Sequence, residues 1–316
     1  MKSSSAVLAV AVLTLGLSAL AIPAQAAAPA LPSGDKLVAA SCDADFGDAT
    51  FLSLDTATGT STPVGASNES YRCAYQASWD ETTDTLYGFI YDSSATLVAW
   101  EYTTGTLAEI GDFHDVVNDT AVYPDTMVIG LDGAAYALSG NALYSIDLTN
   151  AEVQPLGTLA GLDTYSYGAS VDPSTGVLYF LQQDGDLFIV DPLAVTATFV
   201  ATWPISEDSN WSYGIAIDSA GTAWVVESPG DGTYSALWST PLASFGVDPQ
   251  LSGNIVDADG ADPVTWWATI ISPDVAPAPA PALAATGLDV APLAFGGLLL
   301  AAAGALLVAR RSRRAA

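Results

Sequence analysis

Five acidic residues, Glu69, Asp125, Asp163, Asp208 and Asp262, recur along the chain, each shortly ahead of an apolar or aromatic run. Brought together, they would form a ring of carboxylates, a hard-oxygen environment suited to calcium. A carboxyl pair flanking a scissile bond could instead serve glycoside hydrolysis. A second acidic set, Asp80, Asp132, Asp172 and Asp218, ends those runs in contexts such as VDPSTG, where Asp and Gly make turns. The segments DADFGD at 43 and DADGAD at 257 alternate carboxylates but lack the spacing of a twelve-residue calcium loop. They read as solvated turns. Aromatic residues Tyr165, Tyr167, Trp211, Tyr213, Trp266 and Trp267 lie close to the same positions as the first acidic set and offer faces for stacking on a sugar. His114 is the only histidine, which argues against a Ser-His-Asp triad and a His/Cys zinc site. No Gly-rich phosphate loop follows a strand and opens a helix.

The elements that must position these residues are short runs rich in Val, Ile, Leu, Tyr and Trp, punctuated by Gly, Pro, Asp, Ser and Thr. None sustains a helical period. The runs repeat. One phrase appears as FLSLD at 51, LVAWE at 97, LYSID at 143, LFIVD at 187 and LWSTP at 237, in steps of 46, 46, 44 and 50 residues. A second is YQASWD at 75, MVIGLD at 127, YGASVD at 167, YGIAID at 213 and WATIIS at 267. A third follows its turn, as in LYGFI and AWVVE, and a fourth ends in a small residue, as in LAEIG and VQPLG. Four strands per copy and about 46 residues per copy are the dimensions of propeller blades. The fold class is therefore all-β, a five-bladed β-propeller over residues 34–274. Its first copy lacks the second phrase, which WATIIS supplies from the C-terminal end, so that Trp267 to Ile271 completes the blade begun at Leu37. Large and small residues alternate along the inner strands, as blade packing requires. This alternation assigns Tyr75, Tyr167, Tyr213 and Trp267 to the packing set and leaves Trp211 and Trp266 as the candidate ligand contacts.

Residues 27–286 hold 34 of the 35 acidic residues and only Lys36 and Arg72 as basic ones, a charge of 2 − 34 = −32. Such a surface repels nucleic-acid phosphates and anionic lipid, and suits cations, basic partners or solubility. About 240 residues suffice for one full core. Cys42 and Cys73 are the only cysteines, and in an exported chain they predict one disulfide.

Export is written in the first 26 residues: Lys2, an apolar core from Ala6 to Ile22, and small residues around Gln25. This is the pattern of a secretory signal peptide. At the other end, VAPAPAPA at 275–282 forms an extended linker of about 25 Å, taking about 3.1 Å per residue. Then come LAATG (Leu283, Ala284, Ala285, Thr286, Gly287), an uncharged run from Val290 to Ala309 long enough to cross a bilayer, and Arg310, Arg311, Arg313 and Arg314. This ordered set, residues 283–316, resembles the sorting signal of Gram-positive cell-wall proteins, in which an LPxTG-type pentapeptide precedes a span and a basic tail. The resemblance implies a sortase as partner, cleavage between Thr286 and Gly287, covalent attachment to peptidoglycan through Thr286, and a membrane span that serves only the precursor. Ala284 stands where proline is commonest, a form that resembles the actinobacterial sortase class. The expected localisation is extracellular and wall-anchored.

The expected function is a surface display or binding module that engages a glycan, protein or cation through the mouth bearing Trp211 and Trp266, with calcium as the one cofactor the acidic ring admits. A metal-dependent hydrolase or lactonase using that acidic mouth is the alternative, and a structural wall protein without a ligand is the third.

Overall fold

The structure, a computed structural model, describes residues 31–42, 50–65, 74–91, 94–162, 165–204, 212–228, 235–256 and 264–271. The expected signal peptide and the sorting signal lie outside these residues, as do Cys73 and the side chain of Cys42. Among the described residues no helix is long and apolar enough to cross a membrane.

The chain is a five-bladed β-propeller. It begins with β1 (Lys36–Cys42), β2 (Thr50–Leu54) and β3 (Ser61–Pro63). The first complete blade is β4 (Ala74–Asp80), β5 (Thr85–Tyr91), β6 (Ala95–Glu101) and β7 (Thr106–Asp112). A short hairpin follows, β8 (His114–Asp115) and β9 (Thr120–Ala121). The second blade is β10 (Thr126–Ile129), β11 (Ala135–Ser139), β12 (Ala142–Ile146) and β13 (Glu152–Thr158). The third is β14 (Ser166–Val171), β15 (Leu178–Gln182), β16 (Asp186–Asp191) and β17 (Thr196–Thr202). The fourth is β18 (Ser212–Ile217), β19 (Thr222–Ser228), β20 (Ser235–Pro241) and β21 (Gln250–Ile255), and the chain returns in β22 (Val264–Ile271). Strand β22 pairs antiparallel with β1 from Lys36↔Ile271 to Cys42↔Val264, so the last strand is the innermost strand of the blade that the first strands build. This pairing closes the ring and leaves no seam between first and last blades. The β8–β9 hairpin was not legible in the repeat. It adds in parallel to the outer edge of the second blade, His114 beside Glu152, and makes that sheet six-stranded.

Apolar residues between blades form five clusters, one per interface. Val38, Ala40 and Phe51 of the closing blade meet Ala77, Trp79, Leu86 and Trp100 of the first. At the far side, Leu187 and Trp203 of the third blade meet Ile215, Val225 and Phe245 of the fourth. Each inner strand thus turns one set of side chains to the preceding blade and the other to the next. Ile129 belongs to the cluster shared with the first blade, and its neighbour Val128 to the cluster shared with the third. Burial at this density is the main stabilising contribution, roughly 1.5–3 kcal/mol for each fully buried large side chain.

Some polar groups of the inner strands pair between blades, while Gln76 Oε1, Thr126 Oγ1 and Ser166 Oγ have no hydrogen-bond partner among the described residues. Ser78 Oγ accepts from the Ile129 N–H at 2.9 Å, and Ser170 Oγ from the Ile217 N–H at 3.0 Å. Gln76, fully buried on β4, donates from Nε2 to the Ala169 carbonyl at 3.2 Å. Its partner belongs to the third blade and not to a neighbouring one, so the Gln76 side chain links inner strands that are not adjacent in the ring.

The repeated acids at strand ends are turn formers. Asp172 accepts from Ser174 N–H and Oγ, both at 2.8 Å, and from Thr175 Oγ1 at 2.7 Å. Asp80 does the same with Thr82 and Thr83, and Asp218 accepts from Ala220 and Thr222 N–H and from Trp224 Nε1. Asp55, Glu101, Asp147 and Asp191 cap turns in the same way in the next hairpin outward. Much of the acidity is therefore backbone capping, the local competition for N–H groups at which Asp excels.

Candidate functional site

The turn-forming carboxylates lie at one end of the channel. The other end, where the inner strands begin, carries a tyrosine cluster around one carboxylate. Asp125 stands one residue before β10, and its own N–H donates to the Leu138 carbonyl at 2.7 Å. Its Oδ2 accepts from the Gly140 N–H at 2.5 Å. Burial pushes its carboxyl up to about 6, the Gly140 bond offsetting some of that rise. Among the described residues no basic side chain pairs with it. Lys36, one of two basic residues in the body, sits instead over the Tyr102 ring, 5.3 Å from its centroid.

Two groups of aromatics flank Asp125. From the first blade, Tyr75 and Tyr91 meet edge to face with centroids 4.5 Å apart, backed by Phe89 at 5.5 Å from Tyr91. Tyr91 donates its hydroxyl to the carbonyl of Pro124, the residue before Asp125, and its ring lies 6.3 Å from that of Tyr123. From the third blade, Tyr165 and Tyr167 stack with centroids 6.4 Å apart. Burial raises both Tyr91 and Tyr167 above the ordinary phenol range, and in each the Asp125 charge is the next cause. That shared influence means the carboxylate lies within electrostatic reach of both aromatic groups. Tyr123 and Tyr165 are the open members, 51% and 56% exposed.

Two bulges place the tyrosines there. The alternation along β4 and β14 predicts that Tyr75 and Tyr167 pack between blades; Tyr75 does pack against the cluster between the first and second blades, and both side chains are only half-buried. Opposite β5, the register steps from Ala74↔Ile90 to Gln76↔Phe89, and opposite β15 from Ser166↔Gln182 to Gly168↔Leu181. Tyr75 and Tyr167 are the extra residues, so each leaves the pleat and ends half-buried. Met127, at the same position of the second blade without a bulge, is fully buried. In the closing blade the step from Ala40↔Trp267 to Ser41↔Thr265 makes Trp266 the extra residue of β22.

A second carboxyl belongs to the same end. Glu227 lies level with Tyr213 near the end of β19, is almost wholly buried, and is pushed up to about 7 by that burial. The repeat phrase AWVVE ends in it, but the repeat did not single it out, since no other copy of that phrase carries an acid there. Tyr91 and Tyr123 also escaped the sequence reading. The signal for Tyr91 was the aromatic ending of LYGFIY, level with the start of β4.

Of the five acids expected to form a ring, Asp125 is the one within the described residues; Glu69, Asp163, Asp208 and Asp262 lie outside them. So do Trp211, the side chain of Trp266, and both DADFGD and DADGAD. Among the described residues no group of three or more His, Cys, Asp or Glu is placed to hold a metal ion.

No protein-family model and no curated protein matches the sequence. Among solved structures the chain is similar to AztD of Citrobacter koseri, at 14% identity over 78% of this chain and 61% of that one, with a TM-score of 0.34. A candidate 6-phosphogluconolactonase from Bacteroides fragilis aligns at 11% identity over 77% and 99% of the two chains, with a TM-score of 0.43. A protein of unknown function from Bacteroides thetaiotaomicron aligns at 19% identity over 60% and 53%, also at 0.43. The chain spans about three fifths of the length of AztD. These distant likenesses carry no argument about activity, and the five-bladed architecture stands on the strand pairing given above.

Proposed function

We propose that this chain is an exported binding module, held at the cell wall through Thr286, whose tyrosine-lined mouth captures a ligand bearing an organic cation. One observation carries the reading. Asp125 is half-buried within electrostatic reach of Tyr91 and Tyr167, with a single backbone donor to its carboxylate and no basic partner among the described residues. A cationic ligand group would restore the charge balance that burial denies it, and aromatic faces add attraction of about 0.5–2 kcal/mol for each well-placed ring. The acidic body steers such a ligand inward. Calcium fits less well, because it asks for six to eight oxygens and Asp125 supplies at most two. Attachment rests on the LAATG, span and arginine order.

The test is calorimetric titration of the purified chain with tetramethylammonium, calcium and a neutral glycan panel. Tetramethylammonium binding at pH 7.5 that is lost at pH 5 and in Asp125→Asn supports the reading. Neutral-glycan binding indifferent to pH and to Asp125→Asn overturns the cation assignment. Attachment is tested separately: Thr286→Ala in a sortase-bearing host should release the protein from the wall fraction, and unchanged wall retention would sink it.

A hydrolase is the second reading, favoured by two carboxyls, Asp125 near 6 and Glu227 near 7, at one mouth. Values close to neutrality are those of general acids and bases. Hydrolysis abolished by Asp125→Asn and by Glu227→Gln, with substrate binding kept, would establish it.

A further inference from the structure

The outer strand of every blade is a sheet edge and must be kept from pairing with a stray strand. Four of the five edges are guarded. Strand β7 carries Glu109 and Asp112; β13 carries Glu152 and Pro155 and is covered by β8. Strand β3 has three residues and ends in Pro63, and β21 leaves only Asn254 exposed. Strand β17 is different. It reads TATFVAT, with no charge and no proline, a lack it shares with β21 (QLSGNI), but it leaves five of its seven residues exposed, Phe199 and Val200 among them.

This strand is also close to self-complementary. About Phe199, Thr198 matches Val200 in size and branching, Ala197 matches Ala201, and Thr196 matches Thr202. An antiparallel pair of such strands, related by a two-fold axis at Phe199, sets residues of like type on either side of the axis, the isologous arrangement of a symmetric dimer, with Val200, the extra residue of a bulge, outside the regular ladder. The surrounding surface is consistent with this. Of nine exposed large apolar side chains among the described residues, four lie on β17 or at its ends. Phe199 is 53% exposed at the centre, with Val200 beside it. Leu193, 90% exposed, sits in the turn that enters the strand. Val247, 60% exposed, follows Gly246, which packs against the Thr202 carbonyl at the other end. Antiparallel pairing brings the Leu193 end of one copy to the Val247 end of the other. The bulge at Val200, between Leu187↔Ala201 and Phe188↔Phe199, is not an edge guard, because the same step recurs after Leu97, Leu143 and Leu237 in the other complete blades.

We propose that β17 is the contact of a homodimer, in which two copies pair edge to edge about Phe199 and join their third blades into one eight-stranded sheet. The occupant is a second copy, because an unrelated strand would gain nothing from the near-palindrome, and because an uncharged strip is where two strongly acidic surfaces approach with least repulsion.

The experiment is cysteine cross-linking on the full chain under air with copper-phenanthroline. Directly opposed residues have Cβ atoms about 4.5–5.5 Å apart, within reach of a disulfide after small adjustment. Phe199→Cys should yield at least about five times more covalent dimer than Thr106→Cys, an equally open position on β7. Equal yields overturn the proposal. A second test leaves Phe199 in place: Val200→Glu, which puts a charge on the strip, should lower the dimer fraction in sedimentation velocity at least about fivefold. An unchanged dimer fraction overturns the proposal.

Discussion

Tyr75 and Tyr167 occupy the same place in two blades, and each is the extra residue of a bulge at the start of its inner strand. Both side chains end only half-buried, Tyr75 against the cluster between the first and second blades, whereas Met127 is fully buried in the unbulged second blade. The surface proposed for binding thus draws on local irregularity in an otherwise repeating frame, a known use of bulges near functional sites.

The contrast predicts opposite mutational signatures at one repeat position. Tyr75→Ala and Tyr167→Ala should each cost about 1 kcal/mol or less, as half-buried truncations, while weakening ligand binding. Met127→Ala should cost about 2–5 kcal/mol through cavity formation and leave binding intact in the folded fraction. Urea denaturation with parallel ligand titration checks both. Equal stability losses at the three positions would contradict the assignment.

Glu227 predicts a pH signature. Its folded value, about 7, lies above the ordinary 4.5, so the native state holds the proton more tightly than the unfolded chain. The stability it contributes is present below about 4.5 and is lost as pH rises through about 7. Glu227→Gln removes the charge that burial opposes. It should therefore stabilise the protein by about 1–2 kcal/mol at pH 8, allowing for partial solvation, and have little effect at pH 4. Thermal melts of both chains at the two pH values decide it.

Asp172 should behave as a structural acid. Asp172→Ala leaves two hydroxyls and the Ser174 N–H without their acceptor, at a cost of about 1–3 kcal/mol. Ligand affinity should not change, because this turn opens on the opposite face from Asp125. Loss of binding without loss of stability would argue for a catalytic or binding role at that face.

Gly105 should be intolerant of any side chain. It lies at φ +70°, donates its N–H to the Glu101 carbonyl at 2.8 Å, and approaches the Val64 carbonyl too closely for a Cβ. Gly65, at φ +77°, meets Thr104 in the same way from the other side, so the turn of the first blade and the outer strand of the closing blade interlock backbone to backbone. Gly105→Ala should cost about 2–4 kcal/mol, the sum of left-handed strain and overpacking. Chemical denaturation provides the measurement.

What the sequence determined by itself was the repeating frame. Period-two runs at steps near 46 residues, Asp-led turns and a missing strand at one end restored at the other specify a closed ring of five blades, because each signal is local or merely periodic. Turn acids such as Asp172 were legible for the same reason: their partners lie within three residues. The order of LAATG, apolar run and arginines, from which attachment is proposed, is linear too. Only the tertiary structure decided which side chains share a mouth. Tyr91, Asp125, Tyr167 and Glu227 come from four different blades, and no spacing along the chain relates them. The bulges at Tyr75 and Tyr167 were equally silent, because a one-residue slip reverses every later face without altering the hydrophobic pattern that announces the strand.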